Sequence, residues 1–253
     1  MTAKLKGFIG SFLAICMIGL SALADPLVQD TDWTGSVFIP YDQNQAGPGY
    51  TWSWQLPHMD EADERAHLVN AFYEYFLSDS LNNAVPLMAE SLAEAGIPVQ
   101  VALTYQKTCN NEQFISFLFS STETAGDQTS VIYEGHTFSL EEGMPGSTLS
   151  LPHLLGFLNS QQSTDTWLES RQTEKANQLV RSLVYARITE NDGLVLNDDF
   201  SEETLEYCFF PELDFYLDEN SNPVFFLQPG TVASEEAGRL DFPISLSELK
   251  DEW

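Results

Sequence analysis

The stretch VQVALTYQKTCNNEQFISFLFSSTETAGDQTSVIYEGHTFSL (Val99–Leu140) decides the fold, because it holds three alternating apolar runs separated by turn residues. Apolar side chains at every second position are typical of strands that bury one face. The segments CNNE and TAGDQT between the runs favour tight connections. We therefore predict a three-stranded antiparallel meander. Its inward side chains are expected to be Val99, Val101, Leu103, Tyr105, Ile115, Phe117, Phe119, Ile132, Phe138 and Leu140.

Upstream of the meander, the apolar period changes from two residues to a helical repeat. The run YTWSWQL (Tyr50–Leu56) alternates and predicts a strand. Asp60 with Asp63 predicts the start of a helix, and a second helical stretch runs from about Pro86 to Gly96. The buried stripe of the first helix is predicted to be Val69, Phe72, Tyr73 and Phe76.

Downstream, a helical pattern covers residues 165–188, and three short strands follow at 213–217, 224–228 and 239–244. Strands and helices of this kind in one chain predict an α+β fold, with antiparallel sheets packed against helices. The length suits one large domain over residues 50–253, which divides into two possible subdomains at about 50–160 and 161–253.

The first residues have the pattern of a signal peptide, residues 1–24. Lys4 and Lys6 precede an apolar run from Phe8 to Leu20, and small residues then predict cleavage after Ala24. The following segment, residues 25–49, is expected to be an extended lead-in with a short strand at residues 36–40. The mature protein is expected to be periplasmic or secreted and not attached to a membrane.

The mature chain is strongly acidic, since cleavage leaves 8 basic against 38 acidic side chains, a formal charge of −30. Such a charge repels nucleic acid and anionic membranes, so neither is an expected partner. It would attract a basic partner, or it serves solubility alone.

Two cysteines remain after cleavage, Cys109 and Cys208, and the compartment permits a disulfide between them. Cys208 lies in the apolar run LEYCFF, so a buried thiol is the alternative.

The sequence lacks the histidine spacing of a zinc site and the serine motif of an acyl-transfer enzyme. His58, His67, His136 and His153 are too far apart in sequence for two to share a helical face. His136 shares a strand face with apolar residues and is expected to be a hydrogen-bonded core histidine. No serine lies in a G-x-S-x-G elbow. We expect no metal, no cofactor and no catalytic residue of these types.

Carboxylates are so numerous that an acid-type glycan hydrolase acting on peptidoglycan stays open as an alternative function. Adjacent acids point to opposite faces of an extended chain, which is wrong for converging on one bond. The adjacent pairs are Glu141/Glu142, Asp198/Asp199 and Glu235/Glu236.

The stretch DENSNP (Asp218–Pro223) has the alternating oxygen ligands of a calcium loop, and a calcium-stabilised scaffold is a further alternative. Pro223 occupies the place of the turn glycine, however, and no bidentate Glu follows. A hairpin turn between two short strands is the preferred interpretation.

The segment VFFLQPGTVASEEAGRLDFPI (Val224–Ile244) places an acidic loop between two strands. We predict that this loop, residues 229–238, is displayed at the rim of the sheet. Its candidate contact residues are Pro229, Gly230, Glu235, Glu236 and Gly238, with the glutamates meeting a basic partner or only water.

The segment LDFYLDENSNPVFFLQPGTVASEEAGRLDFPISLSEL resembles the end of the RsiV-like extracytoplasmic domain family. The segments SWQLPHMDEADERAHLVNAFYEYF, FISFLFSS and HTFSLEEGMPGSTLSLPHLL are similar to its earlier elements, so the resemblance covers about residues 50–249. The matching residues in the final segment are Asp214, Phe215, Tyr216, Asp218, Phe225, Phe226, Pro229, Ala237, Gly238, Phe242, Pro243 and Ile244.

This domain of unknown function is shared by the anti-sigma factor RsiV, which binds lysozyme as a signal, and by some peptidoglycan deacetylases. The resemblance implies a binding domain of the cell envelope, without the anti-sigma segment. It implies lysozyme, a strongly basic protein, or peptidoglycan as the partner, which fits the acidic charge. The loop 229–238 lacks the aromatic residues usual in that family.

Overall fold

The computed structural model describes residues 26–42, 47–141, 145–158, 166–191 and 193–251. The predicted signal peptide and its cleavage point lie outside these residues. Across the described ranges, no helix has both the length and the apolar character that crossing a membrane requires.

Six strands form the larger sheet and lie side by side in the order in which they occur in the chain. They are β1 (Trp33–Pro40), β2 (Gly49–Leu56), β3 (Val99–Asn110), β4 (Phe114–Ala125), β5 (Gln128–Ser139) and β6 (Ser147–Thr148).

The predicted meander is confirmed, because β3 pairs antiparallel with β4, and β4 pairs antiparallel with β5. Two features differ from expectation. β2 pairs parallel with β3, since the helices between them carry the chain back to the starting edge. The strand predicted at residues 36–40 is longer, because β1 pairs with β2 along its whole length, from Trp33 opposite Leu56 to Pro40 opposite Gly49.

One nearly continuous helical segment covers the core face of this sheet. It consists of α1 (Ala66–Asp79), a π-helical turn (Ser80–Ala84) and α2 (Val85–Ala93). Helix α1 begins six residues after the predicted Asp60, because Asp60 and Asp63 accept hydrogen bonds from Ala62 N and Arg65 N in turns before the helix. Val69 and Tyr73 from the predicted stripe are fully buried, and Phe72 and Phe76 pack beside them.

The second half of the chain forms a smaller antiparallel sheet packed on helices. Its strands are β7 (Phe215–Leu217), β8 (Pro223–Leu227) and β9 (Leu240–Pro243), and its helices are α3 (Leu151–Leu154), α4 (Thr166–Thr189), α5 (Glu202–Cys208) and α6 (Leu246–Asp251). The fold class is therefore α+β as predicted, with sheets that are mostly antiparallel.

The two sheets meet where β7 lies against the face of β4 and β5 that points away from α1. Ser116 on β4 accepts a hydrogen bond from Leu217 N at 3.0 Å, and its Oγ lies 2.7 Å from the Thr137 hydroxyl on β5. All three residues are buried. This small polar cluster fixes the smaller sheet against the larger one.

We expect Ser116→Ala to lower the free energy of unfolding by about 1–3 kcal/mol, because the buried Leu217 N–H would lose its acceptor. Urea unfolding of the purified chain would measure the change. Ser120→Ala is the control, since its hydroxyl pairs with Thr104 at an exposed position. A loss for Ser116→Ala no larger than for Ser120→Ala would contradict this role.

Candidate functional site

The predicted contact loop, residues 229–238, has a defined shape. Gly230 and Gly238 adopt φ angles of 79° and 69°, a left-handed range that glycine enters without steric cost. Between them Glu235–Ala237 form a single 3-10 turn, and the side chains of Glu235 and Glu236 are exposed. The two glutamates are thus displayed to solvent, and their part in binding stays a prediction.

The loop is attached to the protein at its centre and at its end. Val232 and Ala233 are buried, and Asn197 N donates a hydrogen bond to Val232 O at 2.9 Å. After the loop, the Arg239 guanidinium lies 4.5 Å from the centre of the Tyr133 ring and pairs with Asp241 at 2.6 Å. The loop therefore presents its acids from a fixed position.

Cys109 and Cys208 carry free thiols in this structure. Cys109 is buried, and its sulfur accepts a hydrogen bond from Asn111 Nδ2 at 3.3 Å. Cys208 packs at the edge of the second core. Burial raises the pKa of both thiols, which keeps them protonated and slow to react near neutral pH. A disulfide between them stays a prediction.

Within the described ranges, the other sequence candidates do not converge on a reaction centre, and Glu142 lies outside those ranges. Among the described residues, no group of three or more His, Cys, Asp or Glu side chains is placed to hold a metal ion. Asp198 and Asp199 are both exposed. The stretch at 218–223 is the predicted hairpin turn, because Asp218 Oδ1 accepts hydrogen bonds from Asn220 N and Asn222 N at 2.9 and 2.8 Å.

A cleft of about 570 Å³ opens along the free edge of β5, between that strand, the start of α4 and the segment that leads into β7. We call it the acidic cleft. It exists because β6 pairs with only the last two residues of β5, which leaves the rest of that edge without a partner strand. Its carboxylate and imidazole side chains are Glu134, His136, Glu212 and Asp214, and two of the apolar ones are Ile132 and Leu213.

Asp214 is the most perturbed carboxyl group in the cleft. Burial raises its pKa to about 6, and Glu212 and Glu134 add to the effect by charge repulsion. The Phe210 N–H, which donates to Asp214 Oδ2 at 2.8 Å, and the Gln228 side chain oppose the rise. The Gln228 amide also bonds Tyr133 N and O at 2.9 and 2.8 Å, so it ties Asp214 to the edge of β5.

Glu134 and His136 lie two residues apart on β5, so both point to the same face of the strand. Their side chains form a pair with 2.9 Å between Oε1 and Nε2, and this hydrogen bond lowers the pKa of Glu134. His136 is only 8% exposed, and its ring lies 4.7 Å from that of Phe119. The expectation of a hydrogen-bonded core histidine is confirmed. Its Nδ1 is buried without a hydrogen-bond partner among the described residues.

Glu212 brings a third carboxylate to the cleft from the segment before β7. Its backbone N–H donates to Asn177 Oδ1 on α4 at 3.2 Å. Its Oε2 is buried and has no hydrogen-bond partner among the described residues. A buried carboxylate oxygen without a partner is costly, so a cation or a hydrogen-bond donor entering the cleft would be stabilised there.

Apolar side chains stand at the mouth of the cleft. Ile132 and Leu213 are both 62% exposed, and they line the same cleft. The prediction that Ile132 points inward is therefore wrong, because the end of β5 that carries it is left open at the edge of the sheet. The combination of an apolar rim and an acidic interior suits a Lys or Arg side chain. The methylene stem would lie against the rim and the charged head among the carboxylates.

Sequence reasoning missed this cleft, because Glu134 and Asp214 are 80 positions apart and no spacing rule links them. One local signal was Glu134 two residues before His136 on a predicted strand, a spacing that puts both on one face. Leu213, an apolar residue between Glu212 and Asp214, is a second local signal that points to the same site.

No family model matches the sequence, and no curated protein matches it. Among solved structures, a DUF3298 family member from Bacteroides fragilis is similar, with a TM-score of 0.54 at 9% identity, covering 90% of this chain and 100% of that chain. A DUF3298 family protein from Pseudomonas aeruginosa covers 90% and 94%, at 12% identity and a TM-score of 0.49.

Nothing in these comparisons links the chain to RsiV in particular, although the resemblance to an RsiV-like domain is compatible with them. At 9% identity the first likeness concerns the fold and not the function. The chain therefore has a fold similar to that of DUF3298 family proteins, a domain of unknown function.

Proposed function

We propose that this protein is an exported binding domain of the cell envelope that holds a basic protein partner at the acidic cleft, with lysozyme as the first candidate. The observation that carries the proposal is the cleft itself. Glu134, Glu212 and Asp214 surround one opening, and among the described residues no Lys or Arg side chain forms an ion pair with any of them.

The charge of the whole chain supports the same kind of partner. A mature charge of −30 creates a long-range field that steers a basic protein toward the surface. The cleft then supplies what a diffuse field lacks, a local group of three carboxylates that one Lys or Arg side chain can contact. Glu212 and Asp214 are half-buried, and Glu134 is exposed. The field therefore acts while the partner approaches, and the cleft acts once the partner is in contact.

The pKa of Asp214 adds a dependence on pH. Because its pKa is about 6, Asp214 is largely ionised above that value and largely protonated below it. A cationic side chain binds the ionised form better, so the affinity should rise as the pH increases from about 5 to about 7.

Calorimetric titration with lysozyme at low and moderate salt tests the proposal. We expect Glu134→Gln combined with Asp214→Asn to weaken binding about tenfold or more, because Asp214 is half-buried and partly buried charge contacts at an interface are worth more than exposed ones. The matched control is Glu235→Gln combined with Glu236→Gln, which removes two charges from the loop 229–238. Both double variants have the same net charge.

Equal effects of the two double variants would indicate attraction by the overall field and not by the cleft. A larger effect of the loop variant would make residues 229–238 the contact, as the sequence predicted. Cytochrome c, a basic protein of another fold, serves as the partner control. If titration with lysozyme gives no heat signal at either salt concentration, lysozyme is not the partner.

A second candidate function is an acid-type glycan hydrolase, and one observation favours it. The pKa of Asp214 is raised to about 6 while that of Glu134 is lowered, and carboxyl groups shifted in opposite directions are a frequent arrangement for a general acid and its ionised partner. Incubation with peptidoglycan separates the two functions. Sugars released by the protein and not by Asp214→Asn would favour the hydrolase.

A further inference from the structure

A second cleft, of about 760 Å³, lies beside the C-terminal end of α1, and its lining includes Trp33 and Trp54. Its floor comes from the first residues of β1 and from β2, and its opposite wall from the last turns of α1 and the π-helical turn. We call it the tryptophan cleft. None of its described lining residues also lines the acidic cleft, and its volume is typical of pockets that bind small ligands.

The two indole rings are held in place by the sheet. Gly35 lies opposite Trp54 in the β1–β2 ladder, and a Cβ at Gly35 would overlap the Trp54 ring, so this ring lies across the strand at the glycine. Trp54 also stacks on the buried Trp52, with 4.8 Å between ring centres. Trp33 packs against the His58 ring at 4.6 Å. Both indoles stay partly exposed in the cleft.

Asp32 provides a fixed hydrogen-bond acceptor beside the rings. Burial alone would raise its pKa, but hydrogen bonds from Tyr105, Gln55 and Gln29, at 2.5, 2.5 and 2.7 Å, outweigh burial and lower the pKa. The carboxylate is therefore ionised and cannot rotate freely. A side chain held by three donors is pre-organised for a ligand.

The opposite wall is a row of polar groups on one helical stripe, Glu74, Ser78 and Asn82, spaced four residues apart. Asn82 is the last of them and lies within the π-helical turn. A π-helical turn shifts the phase of the helix by about one residue, and such turns are frequent at functional sites. Here the turn directs Leu81 and Asn82 to the cleft.

From this arrangement we infer that the tryptophan cleft binds an uncharged oligosaccharide. Sugar rings have apolar C–H faces that pack on flat aromatic surfaces, and their hydroxyl groups donate hydrogen bonds to carboxylates and amides. Trp33 and Trp54 supply the surfaces, and Asp32, Glu74 and Asn82 supply the polar partners. The two carboxylates, with no Lys or Arg among the described lining residues, disfavour an anionic ligand. This site and ligand are independent of the proposed basic partner.

The experiment is a titration of the purified chain with chitotriose, cellotriose and maltotriose, followed by tryptophan fluorescence and by calorimetry. We expect at least one trisaccharide to bind with a Kd of about 1 mM or tighter and to change the fluorescence. Trp33→Ala should weaken that binding about tenfold. Trp167→Ala is the control, because Trp167 lies on α4 and is 68% exposed.

Asn82→Ala is a second test that does not depend on whether Trp33→Ala folds. Asn82 is exposed, so its removal leaves the core intact. We expect it to weaken saccharide binding about threefold or more, while lysozyme titration is unchanged. No binding of any of the three trisaccharides at about 10 mM would overturn the inference. Binding that is equal in the natural chain, Trp33→Ala and Asn82→Ala would also overturn it.

Discussion

Gly135→Ala is expected to lower the free energy of unfolding by at least about 3 kcal/mol, in the upper range for an overpacked site. Gly135 lies on β5 where β7 crosses it, and a Cβ there would overlap the carbonyl oxygen of Phe215. The obstacle is backbone, which cannot move aside like a side-chain tip. The two strands would have to separate, and the Ser116 hydrogen bond to Leu217 lies in the same interface.

Guanidinium unfolding followed by tryptophan fluorescence would measure this change. Gly47→Ala is the matched control, because the φ of Gly47 is outside the left-handed range and no atom of the described residues lies within 4 Å of its added Cβ. That substitution should change the free energy of unfolding by less than about 0.5 kcal/mol. A loss below about 1 kcal/mol for Gly135→Ala would mean that the contact between the sheets adjusts easily.

The same variant should weaken partner binding if it folds. Phe215 and Asp214 are adjacent in sequence, and both line the acidic cleft together with Gly135. Moving β7 away from β5 would displace Asp214 from Glu134. Loss of stability with binding unchanged would argue against the acidic cleft as the contact.

The meander was predictable because its signal is local. Alternating side chains from Val99 to Leu140 reveal strands, and the polar turns between them fix antiparallel neighbours. The stripe of Val69 and Tyr73 on α1 was readable for the same reason. In each case the residues that share a face are separated by a period that the backbone geometry sets.

The parallel pairing of β2 with β3 was not predictable in this way. The alternation of Tyr50–Leu56 shows that β2 is a strand but does not say which strand lies beside it. The neighbour depends on where α1 and α2 return the chain. The length of β1 depended in the same way on its partner, since Trp33 is in a strand only because Leu56 lies opposite.

The loop 229–238 and the acidic cleft differ for a related reason. The loop can be predicted from the sequence, because its adjacent glutamates and the glycines at its ends are all close together in the chain. The cleft is assembled from β5 and from the segment before β7, and its character comes from burial. The raised pKa of Asp214 follows from its burial in the folded protein. Burial cannot be read from the amino-acid composition.

Asp214→Asn is expected to raise the free energy of unfolding at pH 7.5 by about 1–2 kcal/mol, after a discount for its partial exposure. The pKa of Asp214 is about 6 in the folded protein, against 3.8 for an ordinary aspartate. Between these values the folded state binds more protons than the unfolded state. Stability therefore falls as the pH rises from about 4 to about 6, and the full cost applies above that.

Removing the titratable group should remove this dependence. Thermal or urea unfolding between pH 4 and pH 8 would show a smaller decline in stability for Asp214→Asn than for the natural chain. Asp199→Asn is the control, because Asp199 is exposed and should leave the profile unchanged. A loss of stability in Asp214→Asn would mean that the hydrogen bonds from Phe210 N and Gln228 outweigh burial.

The stability and binding of this variant together decide what Asp214 is for. An aspartate that destabilises the fold at neutral pH and binds nothing has no physical reason to be favoured over asparagine. If Asp214→Asn is more stable and also binds lysozyme more weakly, the carboxylate serves recognition at a cost in stability, as expected for a group at a functional site. Greater stability with unchanged binding of lysozyme would mean that Asp214 is not part of the contact.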